Sequence, residues 1–310
     1  MMAYIVKLES PLIKALHLGE LLGFNNLYVK DEGLNPTGSH KDRVSMYHVG
    51  RAVEEGYDTI TTGTCGNYDV SLAYFARLRG LKPVIFIPRA YSNRRITEMV
   101  SKGAQVILVE GSYEDAVLTS SKTAREYGWY DANPGSKNWE EGLSSFKGIA
   151  YEIVNYLGKV PDNVIIPVGN GSTLTGVYLG FKELLEKGSI EKLPRIIATT
   201  TSHGNPIAVA YRRGSNKVPV LKKVRETWFN EPLVSMIAFD GDAALKAIRE
   251  SGGFVVEVPD YKMVRYAMLV KLLEGICVLP ASASTLEALN YVRDGSREEV
   301  NVAVLTGRCI

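Results

Sequence analysis

The chain has 310 residues, 45% of them hydrophobic, and a formal net charge of +2. This length and composition allow one large hydrophobic core or two smaller ones. Lysine and arginine are spread along the chain, and this argues against an extended polyanion such as nucleic acid as a partner. The four histidines lack the spacing of metal ligands, so no metal site is predicted.

The cysteines and the N-terminus bear on the cellular compartment. Cys65, Cys277 and Cys309 stand far apart, and none belongs to a Cys-x-x-Cys pair. We therefore expect a reducing compartment and no disulfide framework. No signal peptide is recognisable, and no apolar run is long enough to cross a bilayer. These features predict a soluble, cytoplasmic protein that does not bind membranes.

Short apolar runs alternate with amphipathic segments through almost the whole chain. The predicted strands are residues 27–30, 59–62, 84–88, 106–110, 164–168, 196–200, 254–258 and 302–306. The predicted helices are residues 42–52, 70–78, 93–101, 113–126, 147–157, 173–185, 242–250, 261–273 and 281–292. Several strands, such as Val84-Ile85-Phe86-Ile87, are apolar throughout, which is typical of strands buried on both faces of a parallel sheet. The pattern predicts an α/β fold with open, twisted, mostly parallel sheets and right-handed crossovers.

The length of the chain and the polar stretch 133–145 favour two α/β lobes. Residues 44–133 are expected to form the small, substrate-side lobe. Residues 1–43 and 134–310 are expected to form the large lobe. Ligands bind at the carboxyl ends of strands in open α/β sheets, so we expect a site between the lobes.

A lysine follows a tight turn in the segment Asn35-Pro-Thr-Gly-Ser-His-Lys-Asp-Arg43. Lys41 stands at the start of the predicted helix 42–52, where unpaired N–H groups and the positive end of the helix dipole favour an uncharged amine. A free amine is the nucleophile that forms an imine with an aldehyde. The alternative is an ordinary surface lysine after a capping turn.

A glycine-rich loop follows the predicted strand 164–168. It consists of Gly169, Asn170, Gly171, Ser172 and Thr173, and a predicted helix comes next. Glycines let the backbone approach an anion, hydroxyls add donors, and a helix N-terminus offers N–H groups, so the loop is a candidate phosphate site. It has neither the Gly-Lys-Ser/Thr of a P-loop nor the third glycine of a dinucleotide fingerprint. A plain βα turn remains the alternative.

Two further predicted strands end in polar residues. After the second predicted strand comes Gly63-Thr-Cys-Gly-Asn67, in which Asn67 either faces a ligand or caps the next helix. The last predicted strand ends in Thr306, either a donor to a ligand or a satisfied structural residue. A reactive lysine, a phosphate loop and two polar strand ends together are what a pyridoxal phosphate site needs.

Six segments, in order along the chain, resemble those of the fold type II pyridoxal phosphate-dependent enzymes (the tryptophan synthase β-like fold) and most of all threonine synthase. They are residues 35–43, Cys65-Gly-Asn67, Gly111-Ser-Tyr-Glu-Asp-Ala116, Val168-Gly-Asn-Gly-Ser-Thr173, Pro280-Ala-Ser-Ala283 and Leu305-Thr-Gly307. The resemblance covers roughly residues 10–307, and cysteine synthase and threonine dehydratase are related to the same group.

The resemblance implies a role for each candidate residue. Lys41 forms the imine with pyridoxal 5′-phosphate and acts as the general base. The other implied cofactor ligands are Asn67 for the ring 3′-oxygen, Gly169, Asn170, Gly171, Ser172 and Thr173 for the phosphate, and Thr306 for the pyridine nitrogen. The implied substrate-binding residues are Thr64, Cys65 and Tyr68, with Lys137 as the candidate for a substrate phosphate. The large lobe is then the cofactor-binding lobe.

The implied activity is elimination or replacement on an amino acid, best matched by threonine synthase acting on O-phosphohomoserine. The alternatives are a serine or threonine dehydratase, a (phospho)serine β-replacement enzyme, or a non-catalytic cofactor-binding sensor. A homodimer is also implied. Two departures bear on the substrate: Tyr68 replaces the usual threonine, and the stretch between Asn133 and Tyr151 has Lys137 and Lys147 but no arginine.

Overall fold

The computed structural model describes residues 8–64, 66–89, 95–292 and 298–309. The chain forms two compact units: unit 1 is Met1–Leu34 with Phe146–Ile310, and unit 2 is Asn35–Ser145. The predicted lobe boundaries after residues 43 and 133 therefore move to 34/35 and 145/146. The segment that carries Lys41 belongs to unit 2, not to the large lobe as predicted.

The described residues contain ten strands and twelve α-helices. The strands are β1 Leu12–Lys14, β2 Leu27–Asp31, β3 Thr59–Gly63, β4 Lys82–Pro88, β5 Gln105–Val109, β6 Tyr130–Asp131, β7 Asn163–Pro167, β8 Arg195–Thr201, β9 Val255–Val258 and β10 Asn301–Leu305. The helices are α1 Leu16–Leu22, α2 Lys41–Glu54, α3 Asn67–Leu78, α4 Ile96–Ser101, α5 Tyr113–Tyr127, α6 Trp139–Gly142, α7 Lys147–Leu157, α8 Ser172–Glu186, α9 Pro206–Arg212, α10 Gly241–Glu250, α11 Asp260–Glu274 and α12 Pro280–Ala283. Short 3₁₀ segments occupy Glu32–Leu34, Leu143–Phe146 and Ser284–Tyr291.

Unit 1 is built on a six-stranded sheet with the order β1-β2-β10-β7-β8-β9. β1 pairs antiparallel with β2, and the other neighbouring pairs are parallel. Central strands contribute Ile165, Ile197 and Ala303 to one core cluster, and all three are fully buried. This burial explains why the middle residues of these strands are apolar.

Unit 2 is built on a four-stranded parallel sheet with the order β5-β4-β3-β6. Side chains of β4 alternate between two core clusters, as the pleat of a strand requires. Ile85 and Ile87 pack with Met99 in one cluster. Phe86 packs with Ala116 in the other. The strand is therefore buried on both faces.

The predicted α/β fold with mostly parallel sheets is confirmed, and each of the eight predicted strands is present within two residues of its expected bounds. The predicted helix 281–292 is wrong over most of its length, because a 3₁₀ segment replaces it after α12. Ser284 donates its hydroxyl to the Ala281 carbonyl at 2.6 Å, and Thr285 does the same to Ser282 at 3.0 Å. Such bonds to carbonyls three residues back compete with the α-helical pattern.

Several short elements were not predicted: β1, α1, β6, α6 and α9. Most are too short to show a hydrophobic period in the sequence. The predicted helix 93–101 is described from Ile96 onward as α4. Among the described residues, no helix is both long enough and apolar enough to cross a bilayer.

The expectation that the cysteines form no disulfide is wrong. Cys277 and Cys309, 32 residues apart, form a disulfide in unit 1. Between them Val278 and Arg308 form an isolated antiparallel bridge, and the N–H of Cys309 donates to the carbonyl of Cys277 at 3.1 Å. The pairing is invisible in the sequence because it depends on how the chain returns after β10.

Candidate functional site

Two predicted site segments of unit 1 lie at the carboxyl ends of neighbouring parallel strands. β10 pairs with β7 so that Ala303 stands opposite Ile165. Thr306 directly follows β10, and the glycine loop 169–173 follows β7 by one residue. Because the two strands are parallel neighbours, both segments lie at the same edge of the sheet.

The glycines of the loop are required by close packing. Gly171 precedes α8 at φ 98°, in the left-handed region that favours glycine. A Cβ on Gly171 would lie 2.8 Å from the Cβ of Ala244, and one on Gly169 would lie 2.4 Å from the carbonyl oxygen of Pro232. A larger residue at either of these two positions would displace the loop. At Gly169 and Gly171 the loop therefore presents backbone atoms to a ligand.

The start of α8 has the properties of an anion site. α8 is 15 residues long, and its first turn carries no acidic residue. The first N–H groups of a helix have no partner within the helix and lie at its positive end. The hydroxyl of Ser172 donates to the carboxylate of Asp240. The backbone N–H groups, more than this hydroxyl, are thus suited to bind a phosphate.

Three residues with no role predicted from the sequence, Asn205, Leu233 and Ser235, surround the loop. The amide of Asn205 donates to the carbonyls of Gly169 and Leu233, both at 2.9 Å. The hydroxyl of Ser235 donates to the side-chain oxygen of Asn170 at 3.2 Å. Asn205 is also the N-cap of α9, directly before Pro206. An Asn-Pro pair is a helix-start signal, but it carries no hint of the contact with the loop.

The hydroxyl of Thr306 is paired with that of Ser282. Their oxygens are 2.8 Å apart, and Ser282 is 1% exposed in α12. The N–H of Leu279 also donates to the carbonyl of Gly307 at 3.0 Å. The segment around α12 therefore fixes both residues that follow β10. Residues 280–283 are part of the family resemblance, but no role of Ser282 was predicted from the sequence.

In unit 2, the turn before Lys41 is organised by a buried carboxylate. Asp42 is fully buried and accepts the N–H of Thr37 at 2.7 Å and the Thr37 hydroxyl. It also accepts the hydroxyl of Ser71, on α3, at 2.6 Å. α2 begins at Lys41, one residue before the predicted start. The backbone of the lysine is thus held between the turn and α3.

Tyr68 lies beside Lys41 within unit 2. The Nζ of Lys41 is 5.9 Å from the centroid of the Tyr68 ring. The Tyr68 hydroxyl donates to the carbonyl of Ala132 at 2.9 Å, and the side chain is buried. Burial raises the pKa of Tyr68 well above its ordinary value, so the phenol stays neutral. The hydroxyl points into the protein, and the ring faces the lysine.

The other predicted residues of unit 2 have different surroundings. Asn67 is the first residue of α3, and its side-chain oxygen accepts a bond from Arg95. The N–H of Thr64 donates to the carbonyl of Phe86 at 3.2 Å. Cys65 lies outside the described residues. Lys137 is exposed in the turn before α6.

The other lysine of that stretch, Lys147, begins α7 in unit 1. Its Nζ is bound to Glu183 at 2.8 Å. An ammonium held by a carboxylate is a poor candidate for a substrate phosphate. Lys137 therefore remains the candidate of that stretch.

The segment Gly111–Ala116 forms a helix cap. The N–H of Asp115 donates to the hydroxyl oxygen of Ser112 at 3.2 Å, and the N–H of Ser112 donates to the Asp115 carboxylate at 2.7 Å. These bonds lower the pKa of Asp115. This is a capping box at the start of α5, so the segment has a structural explanation. Within the described ranges, no group of three or more His, Cys, Asp or Glu side chains could hold a metal ion.

Comparisons with known proteins cover nearly the whole chain. Residues 7–307 match the family described as pyridoxal-phosphate dependent enzyme. The threonine synthase of Methanocaldococcus jannaschii is 33% identical over 307 residues, covering 96% of this chain and 74% of that protein. The threonine synthase of Methanosarcina acetivorans is 31% identical over 313 residues, covering 97% and 74%.

Solved structures share the fold. An L-serine ammonia-lyase from the fungus Rhizomucor miehei matches with a TM-score of 0.82 at 22% identity, covering 97% of this chain and 94% of that one. Maize serine racemase matches with a TM-score of 0.81 at 19% identity, covering 97% and 88%. At these identities the likeness concerns the fold alone.

Proposed function

The chain belongs to the pyridoxal-phosphate dependent enzyme family, and we propose that within this family it is a threonine synthase, converting O-phosphohomoserine and water to threonine and phosphate. The cofactor of the family is pyridoxal phosphate. The observation that carries the proposal is the similarity to the threonine synthases of two organisms along almost the whole chain. We also propose a homodimer, which analytical ultracentrifugation tests directly.

The chemistry of the described residues fits this cofactor. Unit 1 offers a loop in which Gly169 and Gly171 have no room for a side chain, the N–H groups at the start of α8, and a hydroxyl at the end of β10. Unit 2 offers an amine on a fixed backbone and a side-chain amide. In this proposal Lys41 is the point of covalent attachment, residues 169–173 bind the phosphate, Asn67 meets the ring 3′-oxygen and Thr306 meets the ring nitrogen.

When bound, pyridoxal phosphate supplies an electron sink for the charge that develops at the Cα of an amino acid. Lys41 removes the Cα proton with its Nζ, because the rigid turn before it limits where that atom can go. Thr306 is a neutral hydroxyl held by Ser282, so it does not impose a proton on the ring nitrogen as an aspartate does. Tyr68 excludes water beside the amine with its ring.

The proposed leaving group is a phosphate, which needs a cation in the site. Lys137 is exposed and is the residue that we assign to the substrate phosphate. A lysine binds phosphate as a point charge, without the fork of an arginine. The missing arginine favours one second candidate, a serine or threonine dehydratase, because a hydroxyl leaving group needs no such cation.

Product analysis separates the two candidates. The purified protein, saturated with pyridoxal phosphate, is incubated with O-phospho-L-homoserine, L-threonine or L-serine, and phosphate, threonine and keto acid are measured. A threonine synthase releases phosphate and threonine in equal amounts, and Lys41→Ala releases neither. Keto acid from serine or threonine, without phosphate release from O-phosphohomoserine, favours the dehydratase. A spectral response to amino acids with no product at all indicates a sensor.

The attachment of the cofactor is tested separately. Borohydride reduction followed by peptide mapping is expected to mark Lys41. Lys30 is the control, because it is a fully buried lysine whose ammonium is bonded to Glu152. A reduced adduct on any lysine other than Lys41 contradicts the assignment.

A further inference from the structure

Arg95 binds the side chain of Asn67. One guanidinium N–H donates to the side-chain oxygen of Asn67, and the Nε–H donates to Glu98 at 3.0 Å. The side chain of Arg95 is 10% exposed, whereas that of Glu98 is 37% exposed. The guanidinium is therefore largely shielded from water beside Asn67. A hydrogen bond to a charged donor is stronger than one between neutral groups, and shielding strengthens it further.

The chemistry of arginine determines which way the Asn67 amide faces. An amide has an oxygen that accepts and a nitrogen that donates, and the two ends have nearly the same shape. Arginine has donors only, so it can bind the oxygen end and not the nitrogen end. The bond to Arg95 therefore commits the oxygen of Asn67 and leaves its NH₂ group to donate elsewhere.

Resting on the proposed function, we propose that Arg95 is a positioning residue that orients Asn67 as a hydrogen-bond donor to the 3′-oxygen of pyridoxal phosphate. That ring oxygen is an acceptor when ionised, so it needs the NH₂ end of the amide. The guanidinium also polarises the amide, which makes its N–H groups better donors. Glu98, three residues further on, holds the other side of the guanidinium in place.

The test is a double-mutant cycle on the cofactor-loaded protein. The variants are Arg95→Met, Asn67→Ala and the double variant, and the readouts are the dissociation constant of pyridoxal phosphate and the ratio of the absorption bands of the bound cofactor as a function of pH. Arg95→Met is expected to weaken cofactor binding about tenfold and to change the band ratio, since a charge-assisted bond is lost. In the Asn67→Ala background, Arg95→Met is expected to change affinity less than about twofold.

Arg89, which directly follows β4, provides a matched control for Arg95. Its side chain is 59% exposed and pairs with Glu110. Arg89→Met removes the same charge from unit 2 and is expected to leave both readouts unchanged. An equal effect of Arg89→Met overturns the proposal, because a loss of charge alone then explains the result.

The outcomes separate this inference from the proposed function. If the wild-type protein forms no borohydride-reducible adduct with pyridoxal phosphate, the proposed function fails. If it forms one and Arg95→Met keeps wild-type affinity and band ratio, only the role of Arg95 fails. The role of Arg95 also fails if the double variant loses cofactor affinity by the product of the two single losses, because Arg95 then acts independently of Asn67. Should circular dichroism show that Arg95→Met does not fold, the same cycle with Arg95→Lys, expected to weaken binding about threefold, decides.

Discussion

Thr306 and Ser282 share a hydrogen bond across 24 residues of sequence, with 2.8 Å between their hydroxyl oxygens. Ser282 is almost completely buried, whereas Thr306 is half-buried at the end of β10. A hydroxyl has one proton to donate and two lone pairs that accept. Ser282 therefore restricts the direction in which Thr306 can donate to a ligand.

Because of this hydrogen bond, substitutions of Thr306 and Ser282 are both expected to lower turnover, and the loss is expected to be larger for Thr306. Thr306→Val removes the hydroxyl and is expected to lower kcat/KM of the proposed reaction roughly tenfold, since one net hydrogen bond of about 1.4 kcal/mol is a factor of ten. Ser282→Ala only frees the Thr306 hydroxyl, so a smaller loss is expected. Thr119→Val is the control, because that hydroxyl bonds a helix carbonyl of α5 at 2.7 Å. A larger effect of Ser282→Ala than of Thr306→Val contradicts the assignment.

The buried carboxylate of Asp42 is expected to be needed for stability as well as for placing Lys41. Asp42→Ala leaves the N–H and hydroxyl of Thr37 and the hydroxyl of Ser71 without their acceptor. A buried donor without an acceptor costs about 1–3 kcal/mol. Taking about 1 kcal/mol for each of the three donors, we expect a loss of roughly 3 kcal/mol in the free energy of unfolding. Ser71→Ala removes one of these bonds and is expected to cost about 1 kcal/mol. Urea denaturation measures both, and equal losses argue against the network.

The buried ion pair of unit 1 provides a comparison with a surface pair. Lys30 and Glu152 have side chains 0% and 10% exposed. Glu152→Ala removes the carboxylate that is bonded to the buried Lys30 ammonium, and we expect a loss of about 3 kcal/mol in the free energy of unfolding. Glu55→Ala breaks the surface pair with Arg51, and we expect less than about 1 kcal/mol. Denaturant midpoints that shift equally contradict this ranking.

Eight of the ten strands could be predicted from the sequence because they carry a local signal. The run 164–168 is short and apolar and follows two polar residues, and most of it lies in β7. Where hydroxyl side chains bind nearby carbonyls, as at Ser284, the local signal for an α-helix was misleading. Three-residue β1 has no period to detect, and its existence depends on pairing with β2.

Candidate site residues could be proposed from the sequence where a motif lies within one segment, and not where their placement depends on strand register. Lys41 and the glycine loop became candidates because of their own neighbours in the sequence. That Thr306 and the loop follow neighbouring parallel strands depends on the pairing of β10 with β7, which no local pattern contains. Arg95 lies 28 residues from Asn67, so their bond required the folded unit. The disulfide was missed for the same reason.

His48 is expected to make stability depend on pH. It is fully buried in unit 2, with its ring stacked on Trp139 and its Nδ1 3.3 Å from the Tyr130 hydroxyl. Loss of hydration lowers the pKa of His48 from 6.5 to about 3. Between these values the unfolded chain holds a proton that the native state lacks. The free energy of unfolding therefore falls as pH falls through this window, by up to about 1.4 kcal/mol per pH unit.

The slope of stability against pH tests this effect without requiring equal stability of the variants. Urea denaturation of the wild type, His48→Gln and His17→Gln is measured between pH 6 and 4. The slope of His48→Gln is expected to be shallower than that of the wild type. His17 is exposed, and His17→Gln serves as the control. Parallel lines for wild type and His48→Gln would show that His48 is not the group responsible.

The disulfide between Cys277 and Cys309 gives the protein a measurable thiol count. Protein isolated without reductant and then denatured is expected to react with one equivalent of thiol reagent, from Cys65, and with three after reduction. The bond joins cysteines that are 32 residues apart in the sequence. For a loop of this length the chain-entropy model gives about 3–4 kcal/mol of stabilisation. Cys277→Ser is expected to lose that amount, and Cys65→Ser is the control. Three reactive thiols before reduction contradict the pairing, whatever the stability of the variants.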